Sequence, residues 1–376
     1  MTNYRLTPLK NTEENRQRII EKTSGNMQKP PKKKASKAWA PVIITTIALF
    51  MAVFLAVPYV QQAFFDEQSF TVEKVVIPNV PYDSLIASTY LDETNEFIYN
   101  TENGIYAFDV KKNEKTLLVD APQVFRDYAV SKDWLVWAQP VNDENKIHVL
   151  NRETHKVNVV EADYFYGVYL QGDTFIYTGL QDKQPNYFTL NLKDGTTQIL
   201  REIDRDGDGS HSRLVIEGNL VVFSEVFKIE GRKDTVVTVH DFETKQNLES
   251  YIFPYEFAEN ILLKGDKIYS SLRKDNEPAV IGFIDRTTGE FQVVETSVGI
   301  HDYATDGEHF AIAVQKGDSN TVQLFKLQDG ELKPLSKLPS IRERLVLPRF
   351  TEQGTLVVNG EGKDKAVYLI RFDKKK

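Results

Sequence analysis

The chain contains no cysteine among its 376 residues. This absence excludes a disulfide scaffold, a cysteine-ligated zinc finger, an iron–sulfur site and a thiol nucleophile. Common enzyme signatures are also missing, since there is no His-Glu-x-x-His, no Gly-x-Ser-x-Gly and no phosphate-binding glycine loop. The six histidines are never paired at the spacing of metal ligands. We therefore expect a protein that is not an enzyme.

The charge is distributed unevenly along the chain. Residues 1–37 carry ten Lys or Arg and three Glu, a net charge of +7, whereas the remaining 36 basic and 51 acidic residues give the rest of the chain −15. Between the two parts, residues 38–65 contain no charge. About 20 consecutive apolar residues cross a bilayer core, and Trp39 and Tyr59 stand where aromatic residues favour the two interfaces. The pattern predicts a transmembrane helix.

The orientation follows from the lysines before this segment. Lys29, Lys32, Lys33 and Lys34 precede the span, and an excess of Lys and Arg marks the cytoplasmic side. The alternative is a cleaved signal peptide, but a long basic tail precedes the apolar run and no Ala-x-Ala site follows it. We predict a basic cytoplasmic tail (1–37), a transmembrane helix with its flanks (38–65) and an extracytoplasmic domain (66–376), in a single-pass protein of the cell membrane.

The acidic outer part contains an internal repeat. A polar turn followed by a short run rich in β-forming residues recurs seven times, at spacings of 38 to 47 residues. Four-stranded propeller blades have repeats of about 40 to 45 residues. The anchor residues of the turns are Asn95, Asp133, Asp173, Asn219, Asp266, Gly307 and Gly354. An all-β, seven-bladed β-propeller is therefore predicted, with six or eight blades, stacked hairpins or two sandwiches as alternatives.

The two ends of the outer domain are complementary. The last unit finishes at residues 366–372, which would be its third strand, and no fourth strand follows. The segment 70–77 has β character and no place in the first unit. We predict that this N-terminal strand pairs in the last blade and closes the ring, because closure removes exposed sheet edges.

The turn motifs of the repeat carry a family resemblance. Gly172-Asp173 and Gly265-Asp266 enter strands, and Asp285-Arg286-Thr287-Thr288-Gly289 separates two others. With these turns, residues 70–376 resemble the Tol-B-type and quinoprotein-like β-propellers. The resemblance implies that a ligand binds around the central channel, on the face formed by connections from the outer strand of one blade to the inner strand of the next.

The predicted connections on that face combine acidic, basic and aromatic residues. One interpretation is a rim that binds a cationic or sugar-like ligand or a protein. The other is that each acid caps backbone N–H groups at its own blade junction while the rings fill the core between blades. The candidate ligand-binding residues are Asp83, Arg126, Asp127, Asp163, His211, Glu256, His301, Asp302, Arg342 and Arg344.

One acidic loop matches the opening of an EF-hand-type calcium loop. Alternate carboxylates on a tight turn bring oxygens to one hard cation, but Val215 stands where such a loop has its bidentate Glu. Calcium and a plain acidic turn remain as alternatives. The candidate ligands are Asp204, Asp206, Asp208 and Ser210.

The sequence leaves three functions open. The first is a non-catalytic binding or sensing module with an extracytoplasmic protein or glycan ligand and no nucleic-acid partner. The second is a regulator in which residues 1–28 bind a cytoplasmic partner, since the layout resembles some bacterial transmembrane anti-sigma factors. The third is a polysaccharide or peptide hydrolase or lyase, in which His211 or His301 would act.

Overall fold

A computed structural model describes residues 70–120, 128–141, 144–162, 166–203, 214–229, 232–274, 277–296, 298–316, 319–328, 330–335, 338 and 341–373. Over these residues the strands form seven four-stranded antiparallel sheets. The all-β seven-bladed propeller predicted from the repeat is confirmed.

Six blades each consist of four consecutive strands. Blade 1 contains β2 (Thr89–Leu91), β3 (Glu96–Thr101), β4 (Gly104–Asp109) and β5 (Glu114–Val119). Blade 2 contains β6 (Tyr128–Val130), β7 (Trp134–Val141), β8 (Glu144–Asn151) and β9 (Val157–Glu161). Blade 3 contains β10 (Tyr166–Gln171), β11 (Thr174–Gln181), β12 (Gln184–Asn191) and β13 (Thr197–Glu202). Blade 4 contains β14 (Val215–Glu217), β15 (Leu220–Ile229), β16 (Arg232–Asp241) and β17 (Gln246–Phe253). Blade 5 contains β18 (Phe257–Lys264), β19 (Lys267–Arg273), β20 (Val280–Asp285) and β21 (Glu290–Val294). Blade 6 contains β22 (Asp302–Thr305), β23 (His309–Lys316), β24 (Ser319–Gln328) and β25 (Glu331–Pro334).

The seventh blade joins the two ends of the propeller. Its strand order is β1-β28-β27-β26, with β1 (Phe70–Val75), β26 (Leu345–Phe350), β27 (Leu356–Gly360) and β28 (Val367–Phe372). Antiparallel pairing of β1 and β28 runs from Phe70 opposite Phe372 to Val75 opposite Val367. The predicted closing strand therefore supplies the outer strand of the last blade.

Burial explains why the middle strands are almost continuously apolar. Blades pack face to face, so both faces of a second strand are covered, and Phe97, Ile98 and Tyr99 of β3 are all fully buried. The outer strand β5, in contrast, exposes its first four residues. Each blade thus contributes a buried centre and a solvated edge.

Side-chain caps stabilise the turns between third and fourth strands. The Asp285 carboxylate accepts hydrogen bonds from the backbone N–H groups of Thr287 (2.9 Å) and Thr288 (3.3 Å). Gly289 completes the turn at φ 72°, a conformation that glycine adopts without strain. This is the physical basis of the Asp-x-x-Thr-Gly motif.

A short helix, α1 (Tyr82–Ile86), lies between the closing strand and blade 1 and was not predicted. No helix among the described residues is long and apolar enough to cross a membrane. The predicted cytoplasmic tail and transmembrane segment lie outside the described residues.

Candidate functional site

The predicted ligand face is the end of the propeller at which the outer strand of each blade is connected to the inner strand of the next. The structure describes six of its candidate residues, Asp83, Glu256, His301, Asp302, Arg342 and Arg344. The others lie outside the described residues: Arg126, Asp127, Asp163 and His211, together with the predicted calcium ligands Asp204, Asp206, Asp208 and Ser210.

Two of the six differ from the prediction in their local structure. Asp302 is the first residue of β22 rather than part of a connection, and Asp83 is exposed in the first turn of α1. Arg342 and Arg344 are exposed in the connection before β26. Glu256 is half-buried, and one of its carboxylate oxygens lies 3.8 Å from the Lys233 ammonium group.

The junction of blades 7 and 1 brings several charged groups of this face together. Arg344 forms an ion pair with Glu361, with 2.9 Å between Nη1 and Oε2. Glu343 accepts hydrogen bonds from the Gly362 backbone N–H (2.5 Å) and from the Tyr368 hydroxyl. Burial, and then the Glu361 carboxylate, raise the pKa of Tyr82 to about 12. These acids therefore link the loops of blade 7, and Glu361 also faces Tyr82 of α1.

Arg349 lies at the same junction, on the innermost strand β26. A bulge between Val346 and Arg349 interrupts the pairing with β27, and Leu347 within it has φ 53°. Such a bulge redirects a side chain relative to regular pairing. The Arg349 guanidinium donates to the Asn359 side-chain oxygen (2.5 Å), the Leu347 carbonyl (3.2 Å), and the Ser88 carbonyl (3.3 Å) and hydroxyl (3.4 Å).

All of these acceptors are uncharged. Arg349 is half-buried, and among the described residues no carboxylate lies within ion-pair distance of it. An arginine that is partly withdrawn from water is normally paired with an acid. Burial lowers the pKa of Arg349 to about 10, so the group stays cationic at neutral pH. The guanidinium lies beside Ser88, just before β2, and Asn359, near the end of β27, which places it toward the predicted ligand face.

Asp302 joins blades 5 and 6 at the inner strands. Its carboxylate accepts hydrogen bonds from the backbone N–H of Tyr303 (2.8 Å) and from the side-chain amide of Asn260 (3.2 Å). The Tyr303 hydroxyl donates back to the Asn260 carbonyl (2.9 Å). Burial raises the pKa of Asp302. His301 is exposed and no hydrogen bond joins it to Asp302.

The described histidines beyond His301 include three that pack inside the blades. His148 stacks on Trp137, with ring centroids 5.1 Å apart, and His240 contacts the Asn247 side chain (2.8 Å). His309 contacts Asp306 through Nδ1 (2.9 Å) and stacks on Phe372 (4.3 Å). Within the residues that the structure describes, no group of three or more His, Asp or Glu side chains could bind a metal ion.

Asp306 differs electrostatically from Asp302. Burial alone would raise its pKa, but hydrogen bonds from the ring and the backbone N–H of His309 outweigh burial and hold the pKa of Asp306 below its usual value. The pKa values of Asp302 and Asp306 are therefore shifted in opposite directions.

The sequence offered one signal for Arg349. It is the only charged residue of Leu345-Val346-Leu347-Pro348-Arg349-Phe350, an otherwise apolar strand. A charge within a buried inner strand indicates either a buried partner or a ligand.

The chain matches no protein-family model and no curated protein sequence. Its fold is similar to that of solved structures. The acylaminoacyl peptidase of Pyrococcus horikoshii is 15% identical, with a TM-score of 0.50, over 66% of this chain and 45% of that chain. The β-propeller domain of the Trilobed protease from Pyrococcus furiosus is 13% identical (TM-score 0.52), over 67% of this chain and 85% of that one. Oligogalacturonate lyase in complex with manganese is 10% identical (TM-score 0.53), over 81% and 97% of the two chains. The chain spans less than half the length of the two acylaminoacyl peptidase structures, 46% and 45%. The likeness shows the propeller fold.

The opposite pKa shifts of Asp302 and Asp306 predict opposite effects of isosteric substitution. Asp302→Asn removes a charge that burial disfavours, so it should raise the unfolding temperature at pH 7. This stabilisation should vanish as the pH falls from the raised pKa towards about 3.9, because below that pH the carboxyl group is protonated in both the folded and the unfolded protein. Asp306→Asn should lower the unfolding temperature at pH 7, and that loss should shrink as the pH falls below about 3.9 towards the lowered pKa of Asp306.

Thermal unfolding monitored by circular dichroism from pH 7 to about pH 3 measures both effects. Each variant serves as the control for the other, because both replace one carboxylate of blade 6 by an amide. A change of the unfolding temperature in the same direction for both variants at pH 7 would contradict the opposite pKa shifts of Asp302 and Asp306.

Proposed function

We propose that this chain is a membrane-anchored binding protein whose propeller lies outside the cytoplasm and binds an acidic group of its ligand at Arg349. The observation that carries this proposal is a half-buried guanidinium whose described partners are all neutral. A carboxylate or phosphate there would supply the charge that a desolvated arginine normally has beside it. The planar fork of arginine favours these anions over others.

The surrounding groups support binding rather than acid–base chemistry. Glu343 and Glu361 are engaged with Tyr368, Gly362 and Arg344, so they position the loops around Arg349. The ligand in this proposal is a protein or glycan that bears a carboxylate or phosphate. Calcium at the 204–210 loop stays a prediction.

The membrane anchor is the second part of the proposal. The uncharged segment 38–65 is long enough to span a bilayer, and the lysines at 29–34 favour a cytoplasmic N-terminus. In this arrangement residues 1–28 remain available for a cytoplasmic partner, as expected for a regulator with the layout of the bacterial transmembrane anti-sigma factors.

A hydrolase or lyase is a second candidate because of one observation, the raised pKa of Asp302 beside the exposed His301. Raised carboxyl pKa values are typical of general acids. That candidate predicts turnover of a polysaccharide or peptide that Asp302→Asn abolishes. The binding proposal predicts unchanged ligand binding in the same variant.

The absence of cysteine allows a direct test of the topology. Glu102→Cys places one thiol at an exposed turn of blade 1, and Lys33→Cys places one in the basic tail. In intact cells a membrane-impermeant maleimide should label Glu102→Cys but not Lys33→Cys. After permeabilisation both should be labelled. Labelling of Lys33→Cys alone in intact cells would reverse the proposed orientation.

Phosphate is a probe for the anion site at Arg349. In the full-length protein in detergent, sodium phosphate should raise the unfolding temperature above that in sodium chloride of equal ionic strength, because it binds the folded state. Arg349→Gln should weaken phosphate binding by about tenfold or more, since it removes charge-assisted hydrogen bonds.

Arg273→Gln is the matched control, because it removes an exposed arginine at the same end of the propeller, in blade 5, that lies 3.7 Å from an acid, Glu259. It should retain the phosphate effect. If Arg349→Gln does not fold, Arg349→Lys keeps the charge without the fork and should show a reduced effect. An equal phosphate effect in the wild type and the Arg349 variant would exclude Arg349 as the anion site.

A further inference from the structure

A second cleft lies between blades 7 and 1, at the opposite end of the propeller from the predicted ligand face. Its volume is about 480 Å³, within the range of small-molecule sites. The turns after β2, β4 and β26 supply much of its lining, and these turns lie on the far side of the blades from the blade connections. Its lining includes Tyr90, Asp92, Asn95, Lys111, Thr355 and Arg371. We call it the seam cleft.

The turn after β2 contains buried polar atoms without partners. Asp92 accepts a hydrogen bond from the Thr355 hydroxyl through Oδ1 (2.5 Å), but its Oδ2 is buried and unpartnered. Asn95 accepts from the Tyr90 hydroxyl through Oδ1 (2.7 Å), but its Nδ2 is buried and unpartnered. Thr94 Oγ1 is also buried and has no hydrogen-bond partner. Three of the ten such atoms among the described residues therefore belong to one turn.

Unpartnered atoms of this kind are rare because buried polar groups normally have a hydrogen-bonding partner. Hydrogen bonds from neighbouring side chains already hold Asp92 and Asn95. Asn95 has φ 56° at the turn, and each of Asp92 and Asn95 has one polar atom held by a neighbour. The remaining acceptor of Asp92 and the remaining donor of Asn95 are thus preorganised on two residues that line one cleft.

The charges of the cleft are balanced. Arg371 is held by Glu73, with 2.7 Å between Nη1 and Oε2, and donates through Nη2 to the Tyr90 hydroxyl (2.9 Å). Lys111 is exposed at the cleft and Asp92 is the remaining acid. Two cationic and two acidic side chains line the cleft, so a ligand needs no net charge.

We propose that the seam cleft binds a small neutral polyhydroxylated ligand, one sugar unit. A hydroxyl group donates one hydrogen bond and accepts others, so hydroxyls satisfy both a carboxylate oxygen and an amide N–H. The free Asp92 oxygen takes a hydroxyl proton, and the Asn95 amide donates to a hydroxyl oxygen. This site shares no residue with the Arg349 site and does not depend on it.

The test uses the full-length protein in a sugar-free detergent. Saturation-transfer NMR with D-glucose, D-galactose and D-mannose should detect binding of at least one of them in the millimolar range, and glycerol should not bind comparably. Asn95→Asp keeps the side-chain shape and the bond from Tyr90 but replaces the free donor by an acceptor. Asp92→Asn is isosteric and replaces one acceptor by a donor. Each should weaken binding by about tenfold or more.

Asp133→Asn is the matched control, because Asp133 is exposed in the corresponding turn of blade 2. It should bind the sugar as the wild type does, and unfolding temperatures show that all three variants are folded. Binding of none of the three sugars would overturn the proposal. Equal binding by the Asp92 and Asn95 variants, or equal binding of glycerol, would also overturn it.

Discussion

The antiparallel pairing of β1 with β28 is the constraint on which this propeller depends. It joins residues that are 292 to 302 positions apart in sequence and brings blade 1 against blade 7. Side chains then cross the junction, with Arg349 contacting Ser88 and Thr355 contacting Asp92. Because an open ring would leave both junction faces in water, the closing strand positions both the Arg349 site and the seam cleft.

The architecture could be predicted because it repeats. Blades 1 to 5 share one turn chemistry, in which an Asp or Asn caps the turn between the third and fourth strands, as Asp285 does on Thr287. The order of buried and solvated strands also recurs. The closing strand could be predicted by elimination, since segment 70–77 lacked a place in blade 1 and the last unit lacked a fourth strand. Periodicity and turn residues are local signals, and seven repetitions strengthen them.

The sites could not be predicted in the same way. Arg349 reaches Ser88 and Asn359 through a bulge at Leu347, a residue type that sequence patterns do not associate with positive φ. The seam cleft depends on the distance between two turns that lie more than 250 residues apart in sequence. At Asp302 the sequence did not show that the carboxylate accepts hydrogen bonds from the Tyr303 backbone N–H and from the Asn260 amide of the neighbouring blade.

Hydrogen–deuterium exchange of the full-length protein tests the closure most directly. If β1 completes blade 7, the amides of Phe70–Val75 that face β28 should exchange as slowly as those of Val367–Phe372, because one opening event exposes both strands. Fast exchange in β1, comparable to that of the exposed residues 132–133, with β28 still protected, would contradict a closed ring and the placement of both sites.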